Sequence, residues 1–495
     1  MKIKSLIGAA AAVLSAGVAA QAQTTYIEIT GATAFRTAAV NAINNAFNSG
    51  GNAFTYGYAN TTIASANASL TNGSMQIWKG TFPGIAGTTV VRTSWNGSVE
   101  GIRAVAVPGA LNNPLFLKES VLTGNLTVGG GTAATVRFHS DPAGSGAEAN
   151  AANYEQATSD LAFSDCAQSA TPVSGLTLSG GPVGVVVFTM IASKSWSVDK
   201  LVADAYANRM PTSISAQQFR TMAQLGYAPM SFLTGNASDT TRIYLTGRND
   251  GSGTRTSYLS ETGVGASTPI IQYLNHDRST TNSTTTANGT TIPIIVKAAK
   301  GGGFNWQNVE TPTYASTVWG TDIDGNGGHV SGSDLRGDLS KTTASTAVWE
   351  FVDADDSGTY EATEDSQVRA AEKLYLLTWI TYSDALSARG TGFASARNAE
   401  VLGYNGVTLP GLTGDSPPST MGAADKALVA NGQYTAWNFQ QLYYINSTSG
   451  ASTVFTDLKS RLNSASVIGS AGMALGEMNV NRTVDGGTIL PGAPQ

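Results

Sequence analysis

The run Val183 to Ile191 (VGVVVFTMI) constrains this chain more than any other stretch. An apolar, β-branched segment with no polar alternation fits a strand buried on both faces of a sheet. Around it, short strand patterns alternate with helical ones. Tyr26 to Thr30 reads as a strand and Ala34 to Phe47 as an Ala-rich amphipathic helix. Ile214 to Leu225 reads as a helix with Ser213 or Ser215 available as its cap. Ile243 to Thr246 is a strand followed by a Gly-rich turn and a helix from about Thr254. Strand, glycine turn, helix is the rhythm of an α/β protein. A chain of 495 residues exceeds what one core usually supports, so two lobes are expected.

The first residues read as an export signal: Lys2 and Lys4, an apolar run from Leu6 to Ala20, and the small-x-small triplet Ala20-Gln21-Ala22. The apolar run is short for a membrane span, and no later stretch is long and apolar enough to cross. The mature chain is expected to begin near Gln23, in the periplasm or outside the cell, without membrane insertion. Removing Lys2 and Lys4 leaves 26 basic residues against 34 acidic ones. Such an acidic chain has no global field for gathering nucleic acid or anionic membrane. Any anion it holds is held by local devices. Cys166 is the only cysteine, which excludes an intramolecular disulfide and reads as a small buried residue.

The sharpest local pattern is Gly247 to Thr254 (GRNDGSGT), after a strand and opening a helix. A helix start carries backbone N–H groups without intrahelical partners and the positive end of the macrodipole. Glycines let a ligand approach, Ser252 and Thr254 add hydroxyls, and Arg248 offers a planar fork for an oxyanion. Read on composition alone, the segment is also an ordinary Asn-Asp-Gly turn with a Ser or Thr cap.

RNDGSGT resembles the Arg-x-Asp-Gly-Ser-Gly-Thr signature of phosphate-binding proteins of ABC transporters. Four further segments resemble that family's in the same order. Ile29 to Phe35 resembles its first strand-to-helix turn, which implies that Thr33 and the amides of Ala34 and Phe35 contact the anion. Asn96 to Ile102 resembles its Gly-Ser-Ser-Gly turn and places Ser98 as a hydroxyl donor. Asp160 to Asp165 places Asp165 in the cleft. Ala430 to Tyr443 resembles its Gly-x-Tyr-Pro-Leu-Trp segment, with Thr435 where proline is usual. Val99 and Glu100 replace smaller residues, which puts a carboxylate near the implied site.

The resemblance implies a two-lobed type 2 periplasmic binding protein fold with a discontinuous first lobe. Lobe 1 would span 23–182, with an insertion at about 108–153, and 378–495. Lobe 2 would span 183–377, with an insertion at about 341–372. Val183 to Ile191 would be the first crossing strand and Leu374 to Tyr382 the second. The implied site comprises Thr33, Ala34, Phe35, Ser98, Asp165, Arg248, Ser252, Gly253 and Thr254, with Asp250 bracing the Arg248 guanidinium. An ionised Asp165 accepts hydrogen bonds and cannot donate, so it suits phosphate, which keeps a proton near neutral pH, and rejects sulfate. Asp165 capping a turn or pairing with Arg248 is the plainer alternative. The implied function is capture of inorganic phosphate or a similar oxyanion by a monomer that delivers it to an ABC permease. A free-standing scavenger of the same fold and a secreted phosphatase are the rivals.

A second motif is independent. Asp353 to Glu364 (DADDSGTYEATE) fits the twelve-residue calcium loop, with Asp353, Asp355, Ser357, Thr359, Glu361 and Glu364 at the ligand positions and Gly358 at the turn. Ala347 to Phe351 and Gln367 to Leu377 would be its flanking helices. The alternative is an acidic solvated loop. Calcium would be structural, and no other cofactor is implied. His139, His276 and His329 show no zinc spacing and read as surface residues, and no nucleophile elbow occurs.

Overall fold

The computed structural model describes residues 24–49, 54–60, 70–123, 135–139, 151–193, 212–238, 240–275, 284–287, 290–297, 325–329, 331–340, 347–351, 366–370, 375–390, 399–413, 419–445 and 450–494. The export signal and the loop Asp353 to Glu364 lie outside these residues.

The central feature is a mixed 13-stranded sheet. Its strands in chain order are β1 (Thr25–Gly31), β2 (Thr55–Asn60), β3 (Met75–Gly80), β4 (Thr89–Ser94), β5 (Thr135–His139), β6 (Leu161–Ser164), β7 (Ser179–Ser193), β8 (Tyr227–Pro229) and β9 (Arg242–Leu245). A smaller sheet contains β10 (Thr290–Lys297), β11 (Ala347–Phe351) and β12 (Ser366–Ala370). The large sheet is completed by β13 (Tyr375–Thr381), β14 (Ala399–Tyr404) and β15 (Trp437–Tyr444). Its spatial order is β8-β9-β13-β7-β15-β6-β1-β4-β3-β2-β5, with β14 and Ser213–Ile214 joined beside β7.

The apolar run that opened the argument is the spine. Val183 to Ser193 are all buried, as a strand covered on both faces must be. The first half of β7 pairs antiparallel with β15, from Ser179 opposite Tyr444 to Val187 opposite Trp437. The second half pairs with β13, from Phe188 opposite Thr381 to Ala192 opposite Leu377. Two apolar cores sit along this spine. One takes Ile27, Ile29, Val91 and Phe163 from early in the chain and Leu442, Val454 and Leu458 from late in it. The other takes Ile191, Phe219, Tyr258, Leu377, Trp379 and Tyr434. The first core is therefore discontinuous in sequence.

The return strand expected at Leu374 to Tyr382 lies within the second core instead, between β9 and β7. The chain returns to the first core along β15. Both are central strands, β13 largely apolar and β15 carrying Asn438, Gln440 and Gln441, and the residue pattern of a buried strand is blind to which neighbour it takes.

Seven helices bear on the site or its support: α1 (Arg36–Ser49), α2 (Ser98–Ala106), α3 (Ala216–Leu225), α4 (Gly253–Glu261), α5 (Gly332–Ser340), α6 (Tyr382–Arg389) and α7 (Ala451–Leu462). In α1 the buried face runs through Ala39, Ile43, Ala46 and Phe47, the i, i+4, i+7, i+8 spacing of a packed helix. In α3, Ser215 accepts from the Gln218 amide and Gln218 reaches back to the Ser215 amide, a complete capping box.

Two expectations change here. The segments flanking Asp353 to Glu364 are strands, not helices: β11 and β12 pair antiparallel from Ala347 opposite Ala370 to Phe351 opposite Ser366. Cross-strand pairing satisfies the backbone of these short alternating segments, which helices of five residues would leave largely open at both ends. The stretch from Pro108 to Asn153 is also tied to the sheet in part. β5 extends the sheet edge beside β2, while Leu115–Leu117 pairs with Tyr154–Gln156 in a separate two-stranded sheet.

Candidate functional site

The parallel strands β1, β4 and β6 end on the same edge, and their carboxyl ends lead to α1, α2 and Asp165. In the other half, β9 and β13 run parallel and lead to α4 and α6. Ligand sites of open α/β sheets form beyond such carboxyl ends. Here the two sets meet.

Asp165 is the centre of the meeting. Its side chain is buried, and Ser98 donates a hydroxyl hydrogen to its Oδ1. The Asp165 amide donates back to Ser98 Oγ at 3.1 Å. From the other half, Thr254 Oγ1 donates to Oδ2 at 3.1 Å, and Ser257 Oγ donates to the Asp165 carbonyl at 2.9 Å. Asn438 Nδ2 holds Ser257 Oγ at 2.8 Å. Burial pushes the Asp165 carboxyl above the ordinary Asp range, while Ser98, the Arg248 charge and Thr254 pull it back.

The glycines make this approach possible. Gly97 has φ 108°, and a Cβ there would stand 2.8 Å from the Gly251 carbonyl oxygen. The Val99 amide donates to that same carbonyl at 3.2 Å. At Gly253 a Cβ would meet Ser98 Oγ at 2.3 Å and Asp165 Cγ at 3.1 Å.

Arg248 is 3% exposed, and its Nε donates to the His329 carbonyl at 3.1 Å. Desolvation lowers its pKa, and the opposing charge of Asp165 pulls it back up. The brace expected from Asp250 comes from His329 instead. Asp250 is exposed and lines an outer groove with Arg103, Arg255 and Asn326. His329 is correspondingly buried rather than superficial, with its Nε2 3.0 Å from Asp338 Oδ2. The backbone accounts for this: the His329 amide donates to Gly247 and its carbonyl accepts from the Asn249 amide, so His329 is zipped to the turn.

Ser252 caps α4 by position only. Its side chain makes no cap bond, and its Oγ is buried without a hydrogen-bond partner. Thr33 is half-buried, and its carbonyl accepts from the Arg36 amide. Phe35 sends its ring into the first core, touching Phe163, so only its backbone is available to a ligand. Ala34 is half-buried against the second core. Glu100, the departure that placed a carboxylate near the site, pairs with Arg103 Nη1 at 2.5 Å and faces the outer groove. Thr435, in place of proline, donates to Glu261 Oε1 at 2.6 Å.

Sequence reasoning placed Ser98, Asp165, Arg248 and Thr254 together, and the structure brings them together. It assigned Ser98 and Thr254 hydroxyls to an anion, and both are turned to Asp165. It read His329 as a surface residue and passed over Ser257, Asn438 and Arg36. Only Arg36 left a trace, as a cation directly after Thr33 to Phe35 in a helix with no other charged residue.

Fold and site define an α/β protein with two main cores and a smaller third cluster among its described residues, on one mixed sheet, and a polar cluster built by helix starts from both halves. No family model matches the chain, and no curated protein matches it. Among solved structures, the chain is similar to a protein assigned as a phosphate ABC transporter substrate-binding protein, with bound phosphate, from Clostridium perfringens. Identity is 10%, covering 90% of this chain and 95% of that one, with TM-score 0.36. It is also similar to an ABC-type phosphate transport receptor from Vibrio cholerae, at 9% identity over 90% and 95% of the chains and TM-score 0.35. A third is PstS from Borrelia burgdorferi, at 9% identity over 91% and 98% and TM-score 0.32.

Proposed function

We propose that this protein is an extracytoplasmic solute-binding protein that captures an oxyanion, inorganic phosphate first, between its two halves for uptake by an ABC permease. One observation carries the reading: a buried carboxylate, Asp165, lies between hydroxyls of both halves and beside the buried Arg248. Around them stand donors with free capacity, the Ser252 hydroxyl and the first amides of α4.

Arg248 and the helix starts attract negative charge. Asp165 then selects among anions by demanding a proton. Ser98 and Thr254 occupy one lone pair on each of its oxygens, which leaves acceptor capacity for a protonated ligand oxygen. Phosphate supplies that hydrogen bond; sulfate meets repulsion and an unfilled acceptor. The role is capture without chemical turnover. The calcium loop Asp353 to Glu364 belongs to this reading as a structural element, proposed on its sequence pattern.

Calorimetry of the mature chain with phosphate, arsenate and sulfate tests the function. Phosphate and arsenate should bind and sulfate should not. Equal binding of sulfate would assign the site to oxyanions generally. Turnover of a generic phosphate ester would move the protein to the hydrolases.

A further inference from the structure

We infer that Arg36 is a second guanidinium ligand of the anion at this junction and that it fits the site to a doubly charged oxyanion. The inference rests on the oxyanion reading above and adds the charge class of the ligand. Arg36 opens α1, directly after the turn from Thr33 to Phe35. Its side chain is half-buried, and its Nε is buried with no hydrogen-bond partner. A desolvated, unpaired guanidinium donor is costly unless something accepts from it.

Its surroundings point to the junction. The opposing charge that it feels is Asp384, at the start of α6, and the like charge is Arg336 on α5. Arg248 also feels Asp384, together with Asp165 and Asp334. Arg36 and Arg248 therefore share a neighbour while belonging to different halves. Asp384 does not neutralise Arg36: it accepts from the Thr381 hydroxyl at 2.9 Å and pairs with Arg336 at 3.4 Å. Burial lowers the Arg36 pKa to about 10, so it stays a cation at neutral pH.

A second unfilled donor, the Ser252 hydroxyl, belongs to the other half, with its residue 1% exposed. Arg248 and Asp165 cancel, as do Arg336 and Asp384, and Asp334 stands against the partial positive charges at the starts of α1, α2 and α4. Arg36 then adds one full positive charge, which a dianion uses more fully than a monoanion does.

The test compares wild type, Arg36→Gln and Arg36→Lys by calorimetry at one ionic strength. Inorganic phosphate is the probe in both charge states, the dianion at about pH 8 and the monoanion at about pH 5.5, and each keeps an O–H for Asp165. Arg36→Gln should weaken the dianion about tenfold or more, as loss of a charge-assisted hydrogen bond does. It should weaken the monoanion far less, with the ligand-free melting temperature unchanged, and Arg36→Lys should recover part of the dianion affinity. No loss on either charge state, or an equal loss on both, overturns the inference while the oxyanion reading stands. If the wild type binds no oxyanion, that reading fails and takes this one with it.

Discussion

Thr254 donates its hydroxyl to Asp165 across the meeting of the two halves, Oγ1 to Oδ2 at 3.1 Å. One residue opens a helix after β9 and the other ends a strand beside β1, so their contact reports how the two cores are set against each other. The same carboxylate takes the Ser98 hydroxyl from its own half. Asp165 is thus both the selective element proposed for the ligand and a bond between the halves.

Asp165→Asn should therefore relax selectivity more than it weakens the fold. An amide donates as well as accepts, so sulfate binding should appear while phosphate weakens, by roughly tenfold for one charge-assisted bond. Competition calorimetry checks this, and unchanged affinities for both anions would remove Asp165 from the ligand.

The same logic gives a pH dependence. The folded pKa of Asp165 is raised by burial above 3.8. As pH falls through that raised value the group gains a proton and becomes a donor, so the preference for phosphate over sulfate should narrow. Stability runs in the matching direction. A carboxyl whose folded pKa is raised stabilises the fold below the unfolded value and loses that contribution as pH rises through the folded one. Melting curves of wild type against Asp165→Asn across that window should show the wild type losing ground as pH rises.

Gly253→Ala should separate the walls of the site. The added methyl would stand 2.3 Å from Ser98 Oγ, so either Ser98 or the α4 start must shift. Phosphate affinity should fall by at least tenfold, since a displaced donor set loses charge-assisted bonds, with a stability loss of about 1–3 kcal/mol from overpacking. Calorimetry and thermal melting read the two effects separately.

Arg482→Met should destabilise the protein by about 3–5 kcal/mol, because it leaves a buried carboxylate without its partner. Arg482 Nη1 reaches Glu261 Oε2 at 3.0 Å and Nη2 donates to the Thr435 carbonyl at 2.9 Å. The guanidinium lies 4.2 Å over the Trp437 ring. The late chain thereby anchors the far end of α4 to the approach of β15. Denaturant unfolding checks the magnitude, and a loss below 1 kcal/mol would show that the pair is dispensable.

Glu364→Gln should abolish any calcium-dependent rise in melting temperature while phosphate affinity stays unchanged. A bidentate carboxylate at the last loop position supplies two of the calcium oxygens, and an amide supplies one weaker donor. A calcium titration that is the same in both proteins would discard the loop as a calcium site.

Local chemistry was readable without coordinates. The uniform burial of Val183 to Ile191, the helix start at Gly253 and the Ser215 cap each follow from patterns of a few adjacent residues, and these are what short-range sterics and periodicity govern. The cluster of Ser98, Asp165, Arg248 and Thr254 was legible through motif resemblance, since each lies in the turn or helix start beyond the carboxyl end of a strand, where such chemistry gathers. Only the tertiary structure decided that β15 and not β13 returns the chain to the first core. It also decided that His329 holds Arg248, and that the hydroxyls of Ser98 and Thr254 turn to Asp165. Those outcomes depend on which distant segments come to lie side by side, and a buried strand, a histidine or a hydroxyl carries no mark in the sequence of the partner it will meet.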